Sequence, residues 1–137
     1  MRDEWGPPMV WVLVVDDDES TCEALRLLLG EAGYAIAEAP DGQAALEMLR
    51  STPYHAIVLL DLLMPVLDGH GFLAAVAADT ALKTRHAYIL MTANPLAVRN
   101  IPPAHLSELV AIVHKPFAAD ALLHLIRQAA ATLPPDK

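Results

Sequence analysis

Two hydrophobic periods alternate along this chain. Residues 10–15 form a continuous apolar run rich in β-branched side chains, the pattern of a strand covered on both faces inside a parallel sheet. Residues 56–60, 88–91 and 110–113 repeat that character, whereas residues 34–39 are weaker and alternate, as suits an edge strand. Between the runs the spacing turns helical. Leu25, Leu28, Leu29 and Ala32 fall at i, i+3, i+4 and i+7, and Leu122, Leu125, Ile126 and Ala129 repeat the interval. Ala45, Met48 and Leu49 mark a shorter helix, and Phe72, Ala75 and Val76 another.

Turn residues punctuate these segments. Gly33 stands where a helix C-cap ends the first helix, Asp41-Gly42 opens the next, and Pro134-Pro135 closes the last. Strands alternating with helices of this length imply right-handed βαβ crossovers and a parallel sheet. The predicted organisation is one α/β domain over residues 1–137, with its core at about residues 10–131, tails at 1–9 and 132–137, and no internal repeat. One stretch breaks the rhythm. Within residues 94–109, Pro102 and Pro103 cannot both sit inside a regular helix, so the fourth helix is predicted to be short or irregular, with Pro103 able to open it at its first position.

Composition narrows the class. A chain of 137 residues, 55% hydrophobic, can bury a core without disulfides or a structural metal, and its one cysteine, Cys22, reads as a helix residue. The apolar runs are about half a membrane span, and residues 1–4 lack the basic and apolar regions of a secretory signal, so the expected compartment is the cytoplasm. The 17 acidic and 9 basic side chains give a net charge of −8, with no basic stripe to hold a phosphate backbone, which disfavours direct nucleic-acid binding. Trp11 is expected to cover the sheet; Trp5 belongs to the N-terminal tail.

In an open parallel sheet, functional groups gather beyond the carboxyl ends of the strands. Here the first strand ends in Asp16-Asp17-Asp18, the third in Asp61, the fourth in Thr92, and the fifth runs through His114 into Lys115-Pro116-Phe117. Asp18 also suits a helix N-cap. If Asp16, Asp17 and Asp61 face inward with Lys115, the pocket keeps a net charge of −2. Carboxylates about 5 Å apart repel by roughly 3 kcal/mol per pair at an effective dielectric near 20, and a divalent cation cancels that excess. Oxygen-only ligands with room for water select Mg²⁺. Such a site could take a phosphoryl group onto a carboxylate, with Lys115 and the Thr92 hydroxyl stabilising its oxygens.

These motifs, residues 12–18, 57–65, Asp68-Gly69, residues 91–93 and Lys115-Pro116-Phe117, resemble in order and spacing the receiver domain of two-component response regulators. The resemblance covers roughly residues 10–131 and implies a flavodoxin-like, doubly wound (βα)₅ fold with strand order 2-1-3-4-5. It implies Asp61 as phosphoacceptor, supplied by a phosphohistidine on a sensor histidine kinase or histidine phosphotransfer protein. Asp16, Asp17, Asp61 and the Leu63 backbone carbonyl would hold Mg²⁺, Thr92 and Lys115 would meet the phosphoryl oxygens, and Pro116 would follow a cis bond. The protein would be a signalling switch, catalysing only its own phosphorylation and dephosphorylation, that acts on a downstream protein or output domain, with a phosphorylation-dependent dimer as one form. Met1 and the short tails lean toward a stand-alone regulator over a piece of a longer one.

Three positions depart from or tune that pattern. Ile112 stands where many receivers carry a switching aromatic, and with the disturbed fourth helix this predicts signalling through an altered surface or a reduced switch. Leu63 and Asn94 occupy the positions that tune water access to the acyl phosphate, and Leu63 cannot orient water by hydrogen bonding, which predicts slow autodephosphorylation. The six histidines show no metal-ligand spacing, and strand alternation points His114 away from Lys115. Other classes fit less well: an FMN or nucleotide site needs a phosphate-cradling loop that three aspartates would repel, and an aspartyl phosphatase needs a second acid/base carboxylate where Leu63 stands. A scaffold-only pseudo-receiver would not need the complete set of phosphorylation residues.

Overall fold

A computed structural model describes residues 10–134; the predicted roles of Trp5 and Pro135 lie outside them. Five parallel strands, β1 (Trp11–Val15), β2 (Ala35–Ala39), β3 (Ala56–Asp61), β4 (Ala87–Thr92) and β5 (Leu109–His114), pair in the order β2-β1-β3-β4-β5. This is the predicted topology, with the alternating run at residues 34–39 on an edge. The central strands are buried along nearly their whole length, which explains why their sequences read as unbroken apolar runs.

Alternation along the strands divides the interior in two. Val12, Val14, Ile57, Leu59, Ile89 and Met91 face α1 (Glu19–Glu31) and α6 (Ala119–Ala130), which contribute Leu25, Leu29, Leu122 and Ile126. Leu13, Val15, Val58, Leu60, Tyr88 and Leu90 face α2 (Gly42–Ser51) and α3 (Gly69–Ala77), with Leu49, Phe72 and Val76 among their partners. Trp11 is buried on this second side, as predicted. Phe72 and Tyr88 meet edge to face, with ring centroids 5.9 Å apart.

Helix starts follow from short acidic side chains. Asp18, Asp41, Asp68 and Asp79 each accept a hydrogen bond from a backbone N–H in the first turn of α1, α2, α3 and α4 (Thr80–Arg85), respectively. Gly33, at φ +96°, takes the left-handed position just beyond α1. The separate helix α4 is absent from the periodicity-based reading; its signal was the cap at Asp79, because six residues are too few to reveal a period. In the fourth crossover the long helix gives way to a 3-10 helix (Pro95–Asn100) and the single turn α5 (Pro103–Leu106), opened by Pro103 as the sequence predicts.

The loop between β3 and α3 holds a strained residue. Val66 adopts φ +67° while the Leu67 N–H donates to the Pro65 carbonyl at 2.7 Å, a γ-turn of the unfavourable hand centred on a β-branched side chain. Such a conformation costs about 1–3 kcal/mol, and glycine would remove it at some expense in unfolded-chain entropy. Val66→Gly is therefore expected to raise Tm by about 3–5 °C in calorimetry. An unchanged or lower Tm would show that the turn stores no strain.

Candidate functional site

Strand register assembles the site. Val15 pairs with Leu60, which sets Asp16 beside Asp61, and Asp61 pairs with Met91 on the next strand. Thr92 pairs with His114, and the Lys115 N–H donates to the Thr92 carbonyl at 2.7 Å. The peptide bond between Lys115 and Pro116 is cis, as the resemblance implies. Gly69 lets α3 start close to the end of β3: a Cβ there would lie 2.7 Å from the Leu62 Cα and 2.9 Å from the Asp61 carbonyl oxygen.

Asp16 is held on four sides. Its N–H donates to the Ala39 carbonyl at 3.1 Å, and its own carbonyl accepts the Cys22 thiol at 3.5 Å. One carboxylate oxygen accepts the Asp18 N–H at 2.9 Å and the other accepts Lys115 Nζ at 3.0 Å. Lys115 Nζ also reaches Asp61 Oδ1 at 3.4 Å, so one ammonium bridges two carboxylates. Burial alone would lower the Lys115 pKa, but the hydrogen bond and charge of Asp16, with Asp61, outweigh it and leave the pKa raised. Burial and the neighbouring Asp16 charge raise the Asp61 pKa, against the opposing pull of Lys115. Asp18 has the other role considered for it: its carboxylate caps α1, and hydrogen bonds from Thr21 lower its pKa. Burial raises the Cys22 thiol to about 11, so it is an inert structural group.

Asp17 is exposed, yet its carboxylate joins the cluster: one oxygen each from Asp16, Asp17 and Asp61 lies within 4.8 Å of the others. The donor set is entirely carboxylate oxygen, and its negative charge exceeds what Lys115 supplies. These residues therefore fit a hard divalent cation such as Mg²⁺. The Leu63 side chain is 73% exposed on the loop beyond Asp61.

The Thr92 hydroxyl, expected to meet the phosphoryl oxygens of a modified Asp61, is bonded within its own loop in this structure. It donates to the Asn94 carbonyl and accepts the Asn94 N–H, both at 3.1 Å, so it is engaged away from the carboxylates. Alternation places Thr92 on the side of Leu90, facing α2 and α3, whereas Asp61 shares the α1 and α6 side with Leu59. Asn94 is likewise committed, its side-chain oxygen accepting the Leu96 N–H at 3.0 Å as the cap of the 3-10 helix. Ile112 is partly buried against the α2 and α3 side of the core, and His114 is exposed.

An acidic pocket with one bridging lysine, at the carboxyl edge of a doubly wound sheet ordered 2-1-3-4-5, defines a class of phosphorylatable signalling domains. The response regulator receiver domain family matches residues 12–127, and the chain belongs to that family. It is a receiver domain of two-component response regulators, a signalling switch.

Curated relatives include response regulator MprA of Mycobacterium ulcerans, 50% identical over 60 residues, or 44% of this chain and 25% of that protein. MprA of Mycobacterium tuberculosis is 48% identical over 60 residues, 44% of this chain and 26% of that protein. The matched segment is thus about a quarter of these relatives' length. Among solved structures, response regulator TrrA of Thermotoga maritima, in complex with Mg²⁺ and BeF, has a TM-score of 0.76 at 28% identity, covering 88% of this chain and 99% of that one. Chemotaxis protein CheY4 of Vibrio cholerae has a TM-score of 0.74 at 26% identity, covering 89% and 99%. Among the described residues no helix is long and apolar enough to cross a membrane.

Proposed function

We propose that Asp61 is the phosphoacceptor of this receiver and that its modification switches a protein-contact surface. The observation that carries the reading is the single ammonium of Lys115 spanning Asp16 and Asp61 within a cluster of three carboxylates. An oxygen of Asp61 attacks the phosphorus of a phosphohistidine, the new O–P bond forms as the N–P bond breaks, and the electron pair returns to the imidazole nitrogen. Lys115 balances charge on the equatorial phosphoryl oxygens. The Thr92 hydroxyl reaches those oxygens only by leaving Asn94, which frees the backbone beside the 3-10 helix.

Asp16, Asp17, Asp61 and the Leu63 carbonyl would hold Mg²⁺, which would supply the remaining positive charge. A sensor histidine kinase or phosphotransfer protein is the donor, the cytoplasm the compartment, and a downstream protein or output domain the receiver of the signal. Together with Ile112, the short α5 and the preceding 3-10 helix support signalling through an altered surface or a reduced switch.

Incubation with acetyl phosphate and Mg²⁺ tests the acceptor assignment: one phosphoryl group is expected on the peptide containing Asp61. Label on any other residue, or none, would reject it. Slow hydrolysis follows from the two tuning positions. Leu63 offers no polar side-chain atom and the Asn94 oxygen is already bonded to the Leu96 N–H, so neither presents a ready water-positioning group. The acyl phosphate is expected to survive for many minutes or longer after the donor is removed; a lifetime of seconds would contradict this.

A further inference from the structure

The loop from Leu62 to Gly69 leaves the carboxyl edge of β3 and returns, closed at its base by the Gly69 N–H donating to the Leu62 carbonyl at 2.8 Å. A second tie, the Gly42 N–H to the Leu67 carbonyl at 2.8 Å, fastens its far limb to the start of α2. Between these anchors stand two large apolar side chains in solvent, Leu63 at 73% and Val66 at 82% exposure. Val66 is at the apex, in the left-handed region that β-branched residues avoid. The chain thus keeps an apolar, β-branched side chain where neither burial nor backbone preference favours one. Strained residues of this kind cluster at functional sites.

We infer that Val66 is a specificity-determining residue for the protein phosphodonor, making an apolar contact with the phosphohistidine-bearing protein as it covers the Asp61 pocket. This rests on Asp61 as the phosphoacceptor. The position identifies the occupant: Val66 lies five residues beyond Asp61, on a loop rising from the same strand end, and a protein donor must close over that edge to bring its phosphorus to the carboxylate. Charge points the same way. With three carboxylates in the pocket and a net charge of −8 on the chain, an anionic phosphoryl donor gains little from long-range attraction, so apolar contact at the rim contributes to docking. The pinned base of the loop presents Val66 on a fixed support, which reduces the ordering cost of contact.

The experiment compares two donors on the same variants with Mg²⁺ present. One is phosphoramidate, too small to touch the loop apex; the other is the autophosphorylated histidine kinase core that labels the wild-type chain fastest in a panel of such cores. Val66→Asp is expected to lower the transfer rate constant from the kinase at least tenfold while changing phosphoramidate labelling less than twofold. Val66→Gly, free of the backbone strain, is expected to lose about fivefold with the kinase alone. Kinase transfer within twofold of wild type in Val66→Asp would overturn the inference. An equal loss with both donors would also overturn it, showing that the turn merely shapes the pocket. If wild-type protein took no phosphoryl group on Asp61 from phosphoramidate, the acceptor assignment would fail first, a result distinct from either.

Discussion

Asp61→Asn is expected to abolish phosphoryl labelling and, in metal-free buffer, to make the protein more stable than wild type. The first effect follows from chemistry, because an amide oxygen cannot serve as the carboxylate nucleophile. The second follows from the crowding of Asp16, Asp17 and Asp61 within 4.8 Å around one ammonium. Burial and the Asp16 charge raise the Asp61 pKa, so the folded state binds a proton there more readily than the unfolded chain. Ionised Asp61 consequently disfavours folding at neutral pH, and that penalty fades as pH falls through its raised folded value.

An uncharged, nearly isosteric side chain relieves the repulsion without a cavity, for an expected gain of about 1 kcal/mol, or a Tm rise of about 3–5 °C. The response to Mg²⁺ should reverse the order. Wild-type protein is expected to gain up to about 3 kcal/mol at a hundredfold excess over Kd, whereas the variant, without the carboxylate proposed as a ligand, gains less. Thermal melts with and without Mg²⁺, paired with acetyl phosphate labelling, check both effects. Residual label on the variant would move the acceptor elsewhere. A lower metal-free Tm would show that Lys115 already neutralises the cluster.

The charge cluster was legible because strand ends are legible: an apolar run terminating in acid fixes both the strand and the position of its first polar residue. Register then does what sequence alone could only suggest, setting Asp16 next to Asp61 through the Val15 and Leu60 pair. The irregular fourth crossover was readable from two adjacent prolines, since missing N–H groups act locally. The direction taken by the Thr92 hydroxyl was not readable. It depends on the pairing register, which sets Asp61 opposite Met91 and so leaves Thr92 on the other side of the sheet, and on the loop that brings Asn94 to its hydroxyl. Val66 was equally hidden, because a β-branched residue carries no signal for a positive φ. His86 was hidden as well: its ring is buried at the far end of the sheet by tertiary packing between elements 30 residues apart.

His86 gives the other large effect, a loss of stability between neutral pH and pH 4. The residue is 5% exposed, and its Nδ1 accepts the N–H of Ala56 at the start of β3, at 3.0 Å. That bond requires an unprotonated Nδ1. The surroundings oppose a second proton. Burial lowers the pKa most, followed by the adjacent Arg85 charge, with a smaller contribution from His55, while only the Leu49 carbonyl favours the cation; together they bring it from 6.5 to about 4. The unfolded chain therefore takes up a proton from about pH 6.5 downward, whereas the folded one resists until about pH 4, so stability falls across that window and levels off below it. The shift corresponds to about 3 kcal/mol at its full extent.

Asp61 works in the opposite sense over the acidic range, so wild type and variant must be compared at each pH. His86→Asn offers Ala56 another oxygen acceptor and cannot be protonated. Urea unfolding between pH 7 and pH 4 is expected to show the variant losing about 3 kcal/mol less than wild type over that span. Parallel curves would mean that His86 is charged in the folded protein, with the Ala56 N–H left to another partner.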